Sequence, residues 1–245
     1  MKVIGIAYEG LLAGRGGTRE GPYGVFDTVR YIEPYSVLFQ RPIYLEPQGV
    51  VEVDGYGEEA ALEIEEVVSE DVPAYVGGDH FITLGLVRGF LRRWGKLRVV
   101  VLDAHLDFRD EYRGDRFNHA TVIRRVYEEV GDVTVMGVRN VSSQEIEEAQ
   151  GRIKIIPYTL KPLYTDTPVY LSIDVDVFDP SEAPGVGTPE PGGISFRLFL
   201  KWLRESSFPL VGFDVVEVSP PLDHNKITQT LAATILREVG AKFFA

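Results

Sequence analysis

Short apolar runs alternate with amphipathic stretches along most of this chain. Met1–Ala7, Val72–Val76, Leu97–Leu102, Val133–Val138, Val169–Ile173 and Leu210–Val216 have the length and near-continuous hydrophobicity of strands buried on both faces. Between them, Phe81–Trp94 carries Leu84, Val87, Phe90 and Leu91 at helical spacing. His119–Val130, Phe196–Glu205 and Ile227–Val239 read as further helices, with Ser195 capping the second of these. Ser142–Gln150 reads as a polar helix with Ser142 at its N-cap. Repeated β–α units of this kind predict an α/β fold with a mainly parallel sheet covered by helices on both faces. No linker interrupts the alternation, so residues 1–245 are expected to form one domain.

Ligands of such sheets sit beyond the carboxyl ends of the strands, and there the pattern changes abruptly. Val99-Val100-Val101-Leu102 runs into Asp103, His105 and Asp107, three metal-ligating types at every second position. Alternate residues of an extended chain point to one side, so these three are expected to converge. Val169–Ile173 likewise ends in Asp174 and Asp176. After a third strand, Gly77-Gly78-Asp79-His80 places an imidazole in a strand-to-helix turn. Charges at the end of a buried strand are costly unless paired or bound to metal. Any one of these Asp residues also fits a helix N-cap, a reading that two alternating clusters strain.

Composition narrows the chemistry. Cysteine is absent, which excludes disulfides, thiolate-bound zinc and thiol catalysis. Any metal must then be held by oxygen and imidazole. Asp103, Asp107, Asp174 and Asp176 carry four negative charges, enough for two divalent cations, and His80 and His105 add neutral nitrogen. That set suits two Mn²⁺ ions, which share and activate one water. An EF-hand counted from Asp174 fails, because Phe178 and Asp179 occupy the positions that need a ligand and a glycine. Asp174 and Asp176 fit a phosphotransfer Asp-x-Asp pair, but no downstream lysine motif or Walker-type loop accompanies them. A net charge of −12 argues against nucleic acid, and it fits either solubility or attraction of a cationic substrate. No run approaches a membrane span and no leader pattern follows the first strand, so a cytoplasmic protein is expected.

Two loops and one carboxylate complete the candidate site. Gly10–Gly24 is glycine-rich, and Asp179–Gly193 is rich in proline and glycine; the second is expected to form a rigid wall of the site. Glu217 ends the apolar run Leu210–Val216. It reads either as a rim residue or as a carboxylate offering two hydrogen bonds to a planar guanidinium.

Taken in order, Gly17–Pro22, Gly77–His80, Asp103–Asp107, Ser172–Pro180 with its continuation to Gly193, and Gly212–Pro220 resemble the ureohydrolases, the arginase–agmatinase family. The resemblance runs from about residue 14 to the last helix. It implies a three-layer α/β/α sandwich and a binuclear manganese site held by His80, Asp103, His105, Asp107, Asp174 and Asp176. It further implies that Glu217 orients the guanidinium, that Asp107 steers the activated water, and that His119 transfers a proton to the leaving amine. Without the resemblance, His119 reads as a structural histidine at a helix start.

The segment ahead of His119, Phe108–Phe117, lacks the Asn- and Ser-bearing pattern of arginases and is similar to prokaryotic-type agmatinases. Asp110 and Glu111 are therefore expected to meet the distal amine of agmatine. Phe81 and the Asp223-His224-Asn225-Lys226 turn depart from the usual pattern. A homotrimer or homohexamer is the family expectation. The alternatives are an arginase or another guanidino-acid ureohydrolase, a single-zinc deacetylase of related fold, and a non-catalytic homologue.

Overall fold

The computed structural model describes residues 1–11 and 15–245; residues 12–14 of the glycine-rich loop Gly10–Gly24 lie outside the described residues. In chain order the elements are β1 (Lys2–Ala7), α1 (Gly21–Val29), β2 (Tyr35–Ser36), β3 (Arg41–Pro42), β4 (Glu46–Glu52), α2 (Glu58–Glu65), β5 (Ala74–Gly77), α3 (Ile82–Trp94) and β6 (Arg98–Leu102). They continue with α4 (Val122–Val130), β7 (Val133–Val138), α5 (Ser143–Ala149), β8 (Lys154–Pro157), β9 (Val169–Asp174), α6 (Phe196–Glu205), β10 (Leu210–Val216) and α7 (Ile227–Phe243). Eight strands form one sheet in the order β4-β1-β5-β10-β9-β6-β7-β8, with every neighbouring pair parallel. A separate β2–β3 pair is antiparallel.

Side-chain alternation along the central strands builds the layers. On β6, Val100 and Leu102 join an apolar cluster with Phe199, Trp202 and Leu236 of α6 and α7. Val99 and Val101 join the opposite cluster with Leu84, Phe90, Ile123 and Val126 of α3 and α4. Each face is thus covered by helices, and each fully buried large side chain contributes about 1.5–3 kcal/mol. The helices end where the sequence permits: Gly95 and Gly131 adopt left-handed conformations after α3 and α4. Ser142 accepts from the Glu145 amide while Glu145 returns a bond to the Ser142 amide, the cap expected for α5.

Several elements have no counterpart in the apolar pattern. The edge strand β4 (Glu46-Pro47-Gln48-Gly49-Val50-Val51-Glu52) is almost wholly exposed, so it carries no buried-strand signature. The expected helix from His119 begins as a 3₁₀ turn over His119–Thr121 before α4.

β5, β10, β9 and β6 are adjacent in the sheet, so their carboxyl ends open onto one place. The turn after β5 is pressed against the chain leaving β1: the Gly78 and Asp79 amides donate to the Ile6 and Tyr8 carbonyls at 3.1 and 3.0 Å. A Cβ on Gly78 would lie 2.0 Å from the Tyr8 oxygen, so only glycine fits there.

Candidate metal centre

His80 follows β5, Asp103 follows β6, and Asp174 is the last residue of β9. Their ligand atoms form one tight group, and Asp103, His105 and Asp176 form a second, sharing Asp103. His80 Nδ1 lies 3.1 Å from Asp103 Oδ2, 3.3 Å from Asp174 Oδ2 and 3.5 Å from Asp107 Oδ2. His105 Nδ1 lies 2.9 Å from Asp176 Oδ2 and 3.6 Å from Asp103 Oδ1. All six sequence-predicted ligands therefore meet. Asp103, His105 and Asp107 do so without the simple strand alternation expected of them, because β6 stops at Leu102 and Asp107 is left-handed, with φ 49°. A turn brings Asp107 beside His80.

The donors fit divalent cations. Among the described residues, His80 Nδ1 and Asp103 Oδ2 are buried with no hydrogen-bond partner, yet they face each other. Unpartnered buried donors of this kind are costly unless a cation joins them. The charge balance of the cluster points the same way. Burial pushes Asp107 up to about 6, helped by repulsion from Asp103, and drives Asp174 well above the carboxylate range beside Asp176. Burial opposes charge on His80, but Asp103, Asp107 and Asp174 hold its proton on well above the usual range. Carboxylates and imidazoles here already compete for positive charge.

Beneath the ligands lies a polar chain that the sequence reading did not single out. His80 Nε2 is 3.1 Å from Ser172 Oγ, and Ser172 donates to Asp214 Oδ1 at 2.6 Å. Tyr170 and Thr83 donate to Asp214 Oδ2 at 2.7 and 3.0 Å. All are buried in the sheet core. Ser172 and Asp214 were the available signal, since each is a polar residue inside an otherwise apolar strand and needs a partner there.

A cavity of about 220 Å³ opens over the ligands, and Asp79, His119, Glu217, Thr18, Glu9, Arg15, Arg109 and Tyr112 are among the residues that line it. Glu217 is left-handed, with φ 66°, and its Oε1 accepts the His80 amide at 2.7 Å. Burial and repulsion from Asp79 raise it to about 8. Burial opposes the His119 charge, but Asp79, 3.6 Å from Nδ1, holds that imidazole up at about 9. His119 Nε2 is buried without a partner.

Asp110 and Glu111 do not line this cavity. Asp110 accepts from Arg125 at 2.8 Å and Arg116 at 3.3 Å, so its charge is already neutralised by arginine. Glu9 does line the cavity, and accepts from the Gly17 and Thr18 amides. The wall after β9 is tied down by Arg139. Its guanidinium donates to the carbonyls of Gly137, Asp176, Val177, Phe178, Glu190 and Pro191.

Comparison with known proteins agrees with this geometry. The profile of the Arginase family matches residues 1–241. An agmatinase of Bacillus cereus is 30% identical over 260 residues, spanning 97% of this chain and 89% of that protein. An N(1)-aminopropylagmatine ureohydrolase of Thermococcus kodakarensis is 30% identical, spanning 98% of this chain and 89% of its own length. The crystal structure of an agmatine ureohydrolase of Thermoplasma volcanium superposes with a TM-score of 0.86 at 30% identity, covering 98% of this chain and 88% of that one.

Proposed function

The chain belongs to the arginase family and is a ureohydrolase, and from that premise we propose that it hydrolyses agmatine to putrescine and urea with two Mn²⁺ ions per subunit. The observation that carries the proposal is the pair of ligand groups sharing Asp103 directly beneath Glu217 and His119 in one cavity. His80, Asp103, Asp107 and Asp174 would hold one ion, and Asp103, His105, Asp174 and Asp176 the other. Such an ion pair supplies a water acidified enough to attack at neutral pH.

The remaining steps fall to side chains. Glu217 has one oxygen fixed by the His80 amide. The cation of the substrate offsets the burial and the repulsion from Asp79 that raise Glu217, and the carboxylate then aligns the guanidinium carbon over the ligand groups. Asp107 accepts a hydrogen bond from the attacking water and sets its direction. His119, held protonated by Asp79, presents Nε2 to the leaving amine and gives up its proton there. We assign the distal amine to the Glu9 side of the opening rather than to Asp110 and Glu111.

A second reading, a substrate ending in a carboxylate, has one observation in favour: Arg15 and Arg109 also line the cavity. Arg109 is engaged with Glu145 at 3.3 Å, which weakens it as an anion receptor. The test is urea release by Mn²⁺-loaded protein from agmatine, N1-aminopropylagmatine, arginine and 4-guanidinobutyrate side by side. Turnover of agmatine or its aminopropyl derivative at least tenfold above the two acids is expected. Preference for an acid would replace the amine assignment, and urea from none would remove the activity. The trimer or hexamer expected of the assembled protein is checked by sedimentation.

A further inference from the structure

The contacts of the buried chain below His80 constrain its hydrogens: Thr83 Oγ1 is within reach of Asp214 Oδ2 at 3.0 Å and Ser172 Oγ at 3.1 Å, and the shortest contact is from Ser172 to Asp214. An ionised Asp214 accepts and cannot donate. Ser172 owns a single hydroxyl proton, and its 2.6 Å contact commits that proton to Asp214 Oδ1. Ser172 therefore meets His80 Nε2 with a lone pair, and Nε2 must carry the imidazole proton. In the neutral imidazole that ligation of an ion requires, this leaves the Nδ1 lone pair bare toward Asp103, Asp107 and Asp174. His105 is supported differently: its Nε2 lies 3.7 Å from Glu190 at the partly open rim, with no buried relay behind it.

We propose that Asp214, acting through Ser172, is the positioning residue that fixes the tautomer of His80 and so governs the His80-side ion alone. The inference rests on the reading of this cluster as a two-ion centre. In Asp214→Asn, the amide oxygen stays with its two donors, Tyr170 and Thr83, because turning the NH₂ toward them would strand a buried hydroxyl proton. The NH₂ then faces Ser172, whose proton turns to His80 Nε2. The imidazole proton moves to Nδ1, the ligand atom. An outer partner of a metal ligand changes affinity about 10–100-fold, and that is the loss expected at the His80 side. Tyr170→Phe leaves the Ser172–Asp214 bond in place and keeps both ions.

The experiment counts ions per chain after equilibration at a buffered free Mn²⁺ concentration just sufficient to fill both sites of the wild type. It then reads the histidine tautomers of the Zn²⁺-loaded, diamagnetic proteins by long-range ¹H–¹⁵N correlation. Wild type and Tyr170→Phe should bind two ions, with His80 protonated at Nε2. Asp214→Asn should bind one, with the His80 proton at Nδ1 and His105 still ligated. Two ions at wild-type affinity in Asp214→Asn overturn the inference, as does loss of both with His80 unchanged. If Asp214→Asn does not fold, Ser172→Ala decides: it removes the acceptor that fixes the proton, so undiminished binding at the His80 side overturns the inference. A wild type that binds no ion sinks the metal-centre reading instead.

Discussion

Asp79 holds the proposed acid in its working state, and Asp79→Asn should displace the pH profile rather than simply lower it. His119 sits at about 9 with Asp79 3.6 Å from Nδ1. At that distance and an effective dielectric of ~20, one carboxylate stabilises an imidazolium by ~4.6 kcal/mol, or ~3 pKa units. Neighbouring charges and cavity water reduce this, so a displacement of ~2 units is expected. The amide keeps the Oδ1 contact with the Phe81 amide at 2.8 Å, so the turn is preserved. Bound ions lower the titration in both proteins alike, which makes the difference the quantity to measure. With the acid moved from ~9 to ~7, the protonated fraction near pH 8.5 falls roughly 25-fold, while near pH 6.5 it changes by less than ~1.5-fold. The assay is kcat for urea release from pH 6 to 10 with Mn²⁺ in excess. A uniform loss at every pH, with the basic limb in place, would refute the role given to Asp79 and His119.

Glu217→Gln should lower kcat/KM for agmatine at least ~100-fold, the scale of ~3 kcal/mol for a lost charge-assisted pair. The same change should stabilise the metal-free protein. Glu217 is raised to about 8 when folded, so its folded form loses stability as pH rises from the ordinary glutamate value through 8. Denaturation in EDTA should show no gain near pH 4.5 and ~1–3 kcal/mol near pH 8; a gain independent of pH would contradict this. Asp110→Ala should leave KM for agmatine within twofold and cost about 1 kcal/mol in stability, because the residue serves Arg125 and Arg116. A large KM rise would restore Asp110 to the substrate. Arg139→Met should cost ~3 kcal/mol by orphaning loop carbonyls and should open residues 179–193 to limited proteolysis, and an unchanged cleavage rate would argue against the clasp.

The central strands were legible because β6 and β9 are apolar on both faces and end in ligands that no core tolerates alone. β9 and β10 hid Ser172 and Asp214, whose partners come from a neighbouring strand and a helix and depend on register that the one-dimensional pattern lacks. The six candidate ligands could be named from their spacing and the family resemblance, but the left-handed turn at Asp107 could not, since its partners, the Ile123 amide on its carbonyl and His80 beside its carboxylate, are distant in sequence. Asp110 and Glu111 follow Asp107 closely in sequence, and the turn carries Asp110 toward α4 and its arginines, a placement that spacing alone does not give. β4 escaped because an exposed edge strand needs only main-chain pairing.

The Arg139 clasp grips only main-chain oxygens across the loop after β9. Every residue type offers a carbonyl, so the anchorage does not depend on which side chains the loop displays. Loop positions other than Thr188 and Glu190, whose side chains reach Asp176, Asn140 and His105, are therefore open to diversification while the loop keeps its course. A library confined to them is a rational starting point for retargeting this scaffold to other amidines.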